Sequence, residues 1–535
     1  MSDLSQTLRI VDAIILPLLA LAILFLSRVS HGELARWSER QFYIALLVMT
    51  FVTMRTVALS GDAWLVHTGT LGIMIIVEVV PGGAVTGAIQ PPGSKSLTNR
   101  ALICAAFASG TSKLTGALRS EDTEVMIEAL RTIGLDINVS DGGRTIVVNN
   151  AGPRAPSSSQ SEPHSLFIAN SGTTIRFLTA ALSAASGQYN LHGVPRMHER
   201  PIGDLVDAIV PIMNGTIRAE STNGCPPVVI DSAGWHAGEI NVGGSVSSQY
   251  LSGLMMAAPI GSGDANSHPT RTTRIAVTGE LVSRPYVDMT SKVIESFGGK
   301  VTTVSSGLAA GPSIAFDISS SASTDGYGYR GLDYAIEPDA SAASYFWAAA
   351  AISGGSVTVT GLTHAAMQGD VGFVDVLKKM GCEVDEDDNG ITVIGRPLRG
   401  IDIDMNAISD TAQTLAVVAL FADGPTRVRG VAHNRFKETD RIGDLACELN
   451  KLGATVAEHE DGLTITPPAD GVKGLHGAVL ETYHDHRMAM SLSLAGLRIA
   501  GVKIKNPSCT AKTYPEYFAD LENLIGRSHH WSRLA

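Results

Sequence analysis

The chain has few aromatic residues: Phe, Trp and Tyr together make 5% of 535. Cysteine is sparse too. Cys104, Cys225, Cys382, Cys447 and Cys509 stand singly, odd in number and without metal-ligand spacing. That excludes a disulfide framework and suits a reducing compartment. Positive charge is in deficit, with 40 Lys and Arg against 52 Asp and Glu and a net charge of −12. A general nucleic-acid binder is therefore excluded as a first reading. An anionic small ligand is not, because a local cationic pocket can sit in an acidic protein. The Walker A spacing G-x-x-x-x-G-K-[ST] is also missing.

Residues 1–73 differ from the rest. Ala13 to Leu26 is a nearly unbroken apolar run, Phe42 to Met54 is a second, and Trp64 to Val80 is a broken third. A spanning helix needs about 20 apolar residues. Extending the first run brings in Asp12, and extending the second brings in Arg55. Three readings stay open for this apolar N-terminal extension. It is a two-helix membrane hairpin, a signal-like segment without a clean cleavage site, or sequence upstream of a true start at Met74. In the last case Ile75 to Val79 opens the protein as a strand.

From residue 91 the chain repeats. Six times a polar cluster opens an Ala-rich apolar helix that ends near a Gly, and a β-branched strand follows. The clusters begin at Lys95, Asn170, Ser247, Asp339, Asp410 and His486, about 71 to 92 residues apart. Each interval also holds an amphipathic helix, such as EVMIEALRTIG or IGDLACELNKLG, with apolar positions at i, i+3, i+4 and i+7. Short strands such as DINVS, KVTTV and TVAEH come next. The predicted unit is βαββαβ, and six units divide as three plus three, with the cut near Leu332–Pro338. The Ser- and Gly-rich stretch from Ser305 to Thr324 reads as surface loop. A repeat this long means repeated subdomains rather than a thin solenoid. The Ala-rich helices are apolar nearly all round, so they belong in the cores of the two halves with their polar starts facing one interface.

Those starts carry the chemistry. Gly93-Ser94-Lys95-Ser96 and Arg100 put a cap and two cations on one helix N-terminus, where free N–H groups and the dipole favour an anion. Asn170-Ser171-Gly172-Thr173-Thr174-Ile175-Arg176 repeats that design. Ser247-Ser248-Gln249 offers two hydroxyls and an amide. Asp410 supplies a carboxylate, and Asp485-His486-Arg487 supplies a His and an Arg. Between units stand Arg196, Arg284 with Tyr286, and Lys437-Glu438-Thr439-Asp440-Arg441. Taken singly, each is as well explained by helix capping or by a solvated charge ladder. Their recurrence at equivalent places favours a shared site.

These residues resemble a known family. PPGSKSLTNRA, NSGTTIR, PRMHERPIGDLVDA, SVSSQYLSGLMMAAP, SRPYVD, DASAASYF, ISDTAQT, FKETDRI, YHDHRMAM and CTAKTYPEYF, in this order, are similar to the motifs of the 5-enolpyruvylshikimate-3-phosphate synthases, within the enolpyruvyl transferases. The resemblance covers about Met74 to Leu524. It implies an α/β (α+β) protein of two globular domains, each of three βαββαβ repeats. One domain would be residues 93–336, and the other 74–92 together with 337–535. It further implies transfer of the enolpyruvyl group of phosphoenolpyruvate to the 5-hydroxyl of shikimate 3-phosphate, with release of phosphate through a tetrahedral intermediate. No metal or organic cofactor takes part, and the family default is a cytoplasmic monomer; a membrane is involved only if residues 1–73 are expressed.

By the same resemblance, Ser96, Arg100, Ser247, Ser248, Ser283, Tyr286, Asp410 and Lys437 hold shikimate 3-phosphate. Lys95, Gly172, Arg196, Gln249, Arg441, Arg487 and Lys512 hold phosphoenolpyruvate. Asp410 is the base and Glu438 the proton donor, assisted by Lys95, His486 and Lys512. There are three departures: Ala169-Asn170-Ser171 stands where many members have Gly-Asn-Ala, Phe177 where many have a Pro after the motif Arg, and His433 where some place an Asn or Ser. Two other functions fit the repeat less well. A transferase acting on a UDP-amino sugar would use a loop Cys that is not evident here. An inactive, membrane-tethered binding module would not need Lys95, Asp410, Glu438 and Arg487.

Overall fold

Each of the six Ala-rich segments forms a helix that starts at or just after its polar cluster. They run Lys95–Ala106, Gly172–Ala184, Ser248–Ala257, Ala340–Ser353, Ala412–Ala419 and His486–Ser493. The computed structural model describes residues 74–534 apart from 151–161, 222, 237, 245–246, 261–271, 307–312 and 321–327. The hairpin, signal and start readings of residues 1–73 lie outside it. Among the described residues no helix is long and apolar enough to cross a membrane. Met74–Glu78 is a strand.

The core helices are buried on every face. All thirteen residues of Gly172–Ala184 are buried, as are the first thirteen of Ala340–Ser353. Such a helix needs small residues where it meets a neighbour. At Gly253 a Cβ would lie 3.1 Å from the Arg176 carbonyl oxygen, so the missing side chain lets two of these helices touch.

Two hydrophobic cores result. One gathers residues from Leu97 to Ile336. The other joins Val77, Val79 and Val85 to residues from Ala340 to Leu521. Each core is covered by three sheets of four or five strands. The unit around Gly172–Ala184 shows the pattern. Strand His164–Phe167 leads through that helix to the parallel strand Ser186–His192. Helix Gly203–Ile209 then leads to the antiparallel pair Met213–Ala219 and Val228–Trp235. The order is therefore βαβαββ. The count of four strands and two helices matches the expected unit. The two adjacent strands, however, follow the second helix instead of separating the helices. A crossover helix is what a parallel pair requires, whereas a hairpin needs only a turn.

The Ser305–Thr324 reading is also corrected. Ser313–Ser319 is a strand paired with both Lys300–Ser306 and Thr272–Thr278. Its alternation of Ile314, Phe316 and Ile318 toward the core was hidden between Ser- and Gly-rich flanks.

The opening strand joins the later core, and the last strands before Ile336 stay with the earlier one. Thr86–Ile89 lies beside Ser356–Thr360, while Tyr329–Arg330 and Asp333–Ala335 lie beside Ala108–Thr115. The two passing segments bond to each other. Gly93 and Pro338 form an antiparallel bridge, Ser94 N–H donates to the Glu337 carbonyl at 2.8 Å, and Asp339 N–H donates to the Pro92 carbonyl at 2.8 Å.

Candidate active site

The helix starts are capped by their own polar clusters. Ser94, Ser171, Ser247, Asp339 and Asp485 each accept a backbone N–H of the following turn. Five of the six starts meet at one cleft. Its walls include Lys95, Gly172, Thr173 and Arg176, Gln249, Asp410, and His486 with Arg487. Asp122, Arg200 and the Lys437, Glu438, Arg441 segment complete them. The sixth start acts from behind, where Asp339 accepts the Lys95 backbone N–H at 3.2 Å. Converging N-termini add their dipoles to the cations. Six cations on this lining face three carboxylates, so the cleft is positive within an acidic protein.

Ion pairs order the cations. Arg441, 3% exposed, donates to Asp485 at 2.7 Å and to Glu438 at 2.8 Å, and stands 3.4 Å from Asp410. Arg487 donates to Asp410 at 2.7 Å. Lys512 joins Glu438 at 2.9 Å and the Asn170 carbonyl at 3.1 Å. Lys95 pairs with Asp122 at 3.3 Å. Some polar atoms remain unspent: Arg176 Nε, Arg200 Nε and both ring nitrogens of His486, one a donor and one an acceptor in the neutral ring, are buried with no hydrogen-bond partner. Buried polar groups are ordinarily satisfied, so these atoms are exceptions beside the cleft.

Electrostatics divides the titratable groups. Burial alone would push the Asp410 carboxyl up, but Arg487, then Lys437, Arg441 and Lys95, hold it far below the usual carboxylate range. Glu438 behaves likewise: burial is outweighed by Lys512, Arg441 and Arg200, and its carboxyl sits well below normal. Burial lowers Lys437 to about 8, with Asp410 opposing. Burial also keeps His486 well below the ordinary histidine value, and so neutral.

Of the residues assigned from sequence, Lys95, Gly172, Gln249, Asp410, Lys437, Glu438, Arg441, His486 and Arg487 line the cleft, and Lys512 reaches it through Glu438. Ser96, Arg100, Ser247, Ser248, Ser283 and Tyr286 are not among its lining residues, although the Tyr286 hydroxyl lies 3.2 Å from Asp410. Arg100 is 2% exposed and its fork is spent on Thr290, Ser252 and the Ser96 and Tyr286 carbonyls. It also lies 5.2 Å from the ring of Phe177, the residue that departs from the motif. Ser283 sits with His433, whose Nε2 is 3.3 Å from its hydroxyl. Burial lowers His433 to about 4, so it is neutral there.

Arg196 is a correction. It is paired with Glu199 at 2.6 Å on the surface, its side chain 45% exposed. Arg200 takes the pocket position, 5% exposed, donating to the Asn170 carbonyl at 3.0 Å. The turn Pro195–Glu199 sends the first arginine of PRMHER outward and the second inward. Both Arg residues are in the motif, and the sequence alone did not say which turns in. Asp122 carried no signal beyond helix capping. Arg176 was visible as the first-turn Arg of its cluster, though not among the ligand-holding residues.

Two substitutions separate the arginines by stability. Arg441→Met leaves Asp485 buried without its main partner and Glu438 with Lys512 alone of its two close cations, and should cost about 3–5 kcal/mol. Arg196→Met breaks an exposed pair and should stay within about 0.5 kcal/mol. Urea unfolding of the two variants measures the contrast.

Comparison with known proteins gives the family. The family model described as EPSP synthase (3-phosphoshikimate 1-carboxyvinyltransferase) matches residues 79–521. A 3-phosphoshikimate 1-carboxyvinyltransferase of a Sulfurovum species is 44% identical over 450 residues, covering 84% of this chain and 99% of that relative. The chloroplastic enzyme of that name from Solanum lycopersicum is 44% identical over 463 residues, covering 83% of this chain and 84% of that relative. Among solved structures, an EPSP synthase from Acinetobacter baumannii superposes with a TM-score of 0.68 at 26% identity. It covers 86% of this chain and all of that one.

Proposed function

Since the chain belongs to the EPSP synthase family, we propose that the cleft is the place where it transfers the enolpyruvyl group of phosphoenolpyruvate to the 5-hydroxyl of shikimate 3-phosphate. The observation that carries this reading is the surplus of buried cations and unspent donors at converging helix starts. Two phosphorylated acids are what such a surplus can hold, and Arg forks suit both phosphate and carboxylate.

Phosphoenolpyruvate would lie against Lys95, Gly172, Arg200, Gln249, Arg441, Arg487 and Lys512. Shikimate 3-phosphate would lie toward Ser96, Ser247, Ser248, Ser283, Tyr286 and Lys437, with Arg100 joining if it exchanges its internal bonds for the ligand. Asp410 takes the proton of the 5-hydroxyl as that oxygen bonds to the central carbon of phosphoenolpyruvate. Glu438 gives a proton to the methylene carbon, which becomes a methyl group. The adduct then loses phosphate, and a proton leaves the methyl group to restore the double bond. His486, neutral and unpartnered, faces the same space.

The two cores would act as two lobes, residues 74–92 with 337–535 and residues 93–336, which anionic substrates draw together. Free thiols at all five cysteines fit a reducing cytoplasm. The decisive assay offers phosphoenolpyruvate with either shikimate 3-phosphate or a UDP-amino sugar. Phosphate release only with the former is expected, and release only with the latter would overturn the reading.

Gly172 sharpens the pocket assignment. A Cβ there would fall 2.3 Å from Arg200 Nη2. Gly172→Ala should therefore displace Arg200 and raise the KM for phosphoenolpyruvate about tenfold or more. The KM for shikimate 3-phosphate should change far less. Steady-state kinetics with each substrate varied in turn reads both effects.

A further inference from the structure

Asp370 lies on the turn Gly369–Gly372, and no role has been given to it so far. It is 3% exposed. Its Oδ2 accepts the Tyr286 hydroxyl at 2.9 Å and meets the Ser341 hydroxyl, while its Oδ1 is buried with no partner. The same Tyr286 hydroxyl lies 3.2 Å from Asp410 Oδ2. One phenol thus stands between two buried carboxyl groups.

A phenol has a single proton to donate. With both carboxylates ionised, one of them faces a bare oxygen. With one of them protonated, the chain is complete: the acid donates to Ser341 or to Tyr286, and Tyr286 donates to the remaining carboxylate. The surroundings decide which group holds the proton. Asp410 is ringed by Arg487, Lys437, Arg441 and Lys95. Asp370 faces Tyr286, Ser341, Asp410 and, of the cations, Arg487. Burial, then the Asp410 charge, push Asp370 up to about 7, against Ser341, Arg487 and Tyr286.

We propose that Asp370 is a positioning residue, a neutral acid that leaves the one Tyr286 proton to Asp410 and so fixes the orientation of the base. This rests on the reading of Asp410 as that base. When Asp370 ionises, it competes for the Tyr286 proton and adds a second buried anion beside incoming anionic substrate. Turnover should therefore fall as pH rises through the titration of Asp370.

Asp370→Asn imitates the neutral acid and does not titrate. It should keep kcat within a few-fold of the parent at the acid end and remove the part of the alkaline fall that belongs to Asp370, leaving the later one that belongs to Lys437, which titrates at about 8. Asp370→Ala removes the Tyr286 partner and should lower kcat on the order of tenfold, with a smaller effect on the KM for phosphoenolpyruvate. A second readout needs no turnover. The infrared spectrum of the ligand-free protein at neutral pH should contain a protonated-carboxyl band that disappears in Asp370→Asn. An unchanged pH profile in Asp370→Asn, or a band that survives the substitution, overturns the proposal. Near-normal turnover in Asp410→Asn would instead sink the assignment of the base, whatever Asp370 does.

Discussion

Asp410→Asn should lower kcat by about 10²–10⁴-fold, the usual worth of a positioned general base, while both substrates still bind. The amide keeps the shape of the group and its bond from Tyr286, but it cannot take the 5-hydroxyl proton. Binding should not weaken, because the substitution removes a negative charge from beside Arg487, Arg441 and Lys437. Those cations are then freer to hold anions, so the KM values should stay level or fall. In the ligand-free site these neighbours make Asp410 a very weak base. Two phosphorylated acids entering the cleft would absorb much of that positive field and raise its proton affinity. Steady-state kinetics, with substrate affinity measured separately by fluorescence titration, tests the claim. Near-normal kcat removes Asp410 from the role.

Glu438→Gln should cost a similar 10²–10⁴-fold in kcat, and it exposes a second coupling. Glu438 is ionised in the ligand-free protein because Lys512, Arg441 and Arg200 surround it. An ionised carboxylate has no proton to give. The same three cations are proposed to hold phosphoenolpyruvate. When they turn to that ligand, the force holding Glu438 deprotonated weakens and its proton affinity rises. The substrate would thus arm its own acid. Binding should then draw a proton from solution, because the pKa rises from far below neutral toward the working pH. Calorimetric titration of phosphoenolpyruvate, in the presence of shikimate 3-phosphate and in two buffers of different ionisation heat, would show this uptake. Glu438→Gln should abolish it. Equal heats in both buffers for the parent protein would mean that Glu438 keeps its charge and the proton comes from elsewhere.

The six helix starts were legible because the signal there is local. A cap, a Gly or Ser, a cation and then an Ala-rich run are neighbours in the chain, and each part has a separate physical reason. Lys95, Gly172, Gln249, Asp410 and Arg487 follow from that pattern. What escaped depends on the path of the backbone. Arg196 and Arg200 share one motif, and only the turn at Pro195–Glu199 decides which one points inward. Asp370 looks like an ordinary loop carboxylate until Tyr286, 84 residues away in sequence, is found against it. The Ser313–Ser319 strand was lost because its flanks outweigh its short apolar alternation. The order of strands within a unit was missed because parallel and antiparallel neighbours leave the same short β-branched runs in the sequence.

The bond pair between Pro92–Ser94 and Glu337–Asp339 has a mechanical consequence. Because the chain passes between the two cores twice, side by side, the connection resembles a door hung on two pins. On the two-lobe reading it would swing about the line joining them and resist sliding and shear. Lys95 is the next residue after one pin, and its backbone N–H is held by Asp339 at the other. A swing would carry the Lys95 backbone with it, and with that the base of the side chain that pairs with Asp122.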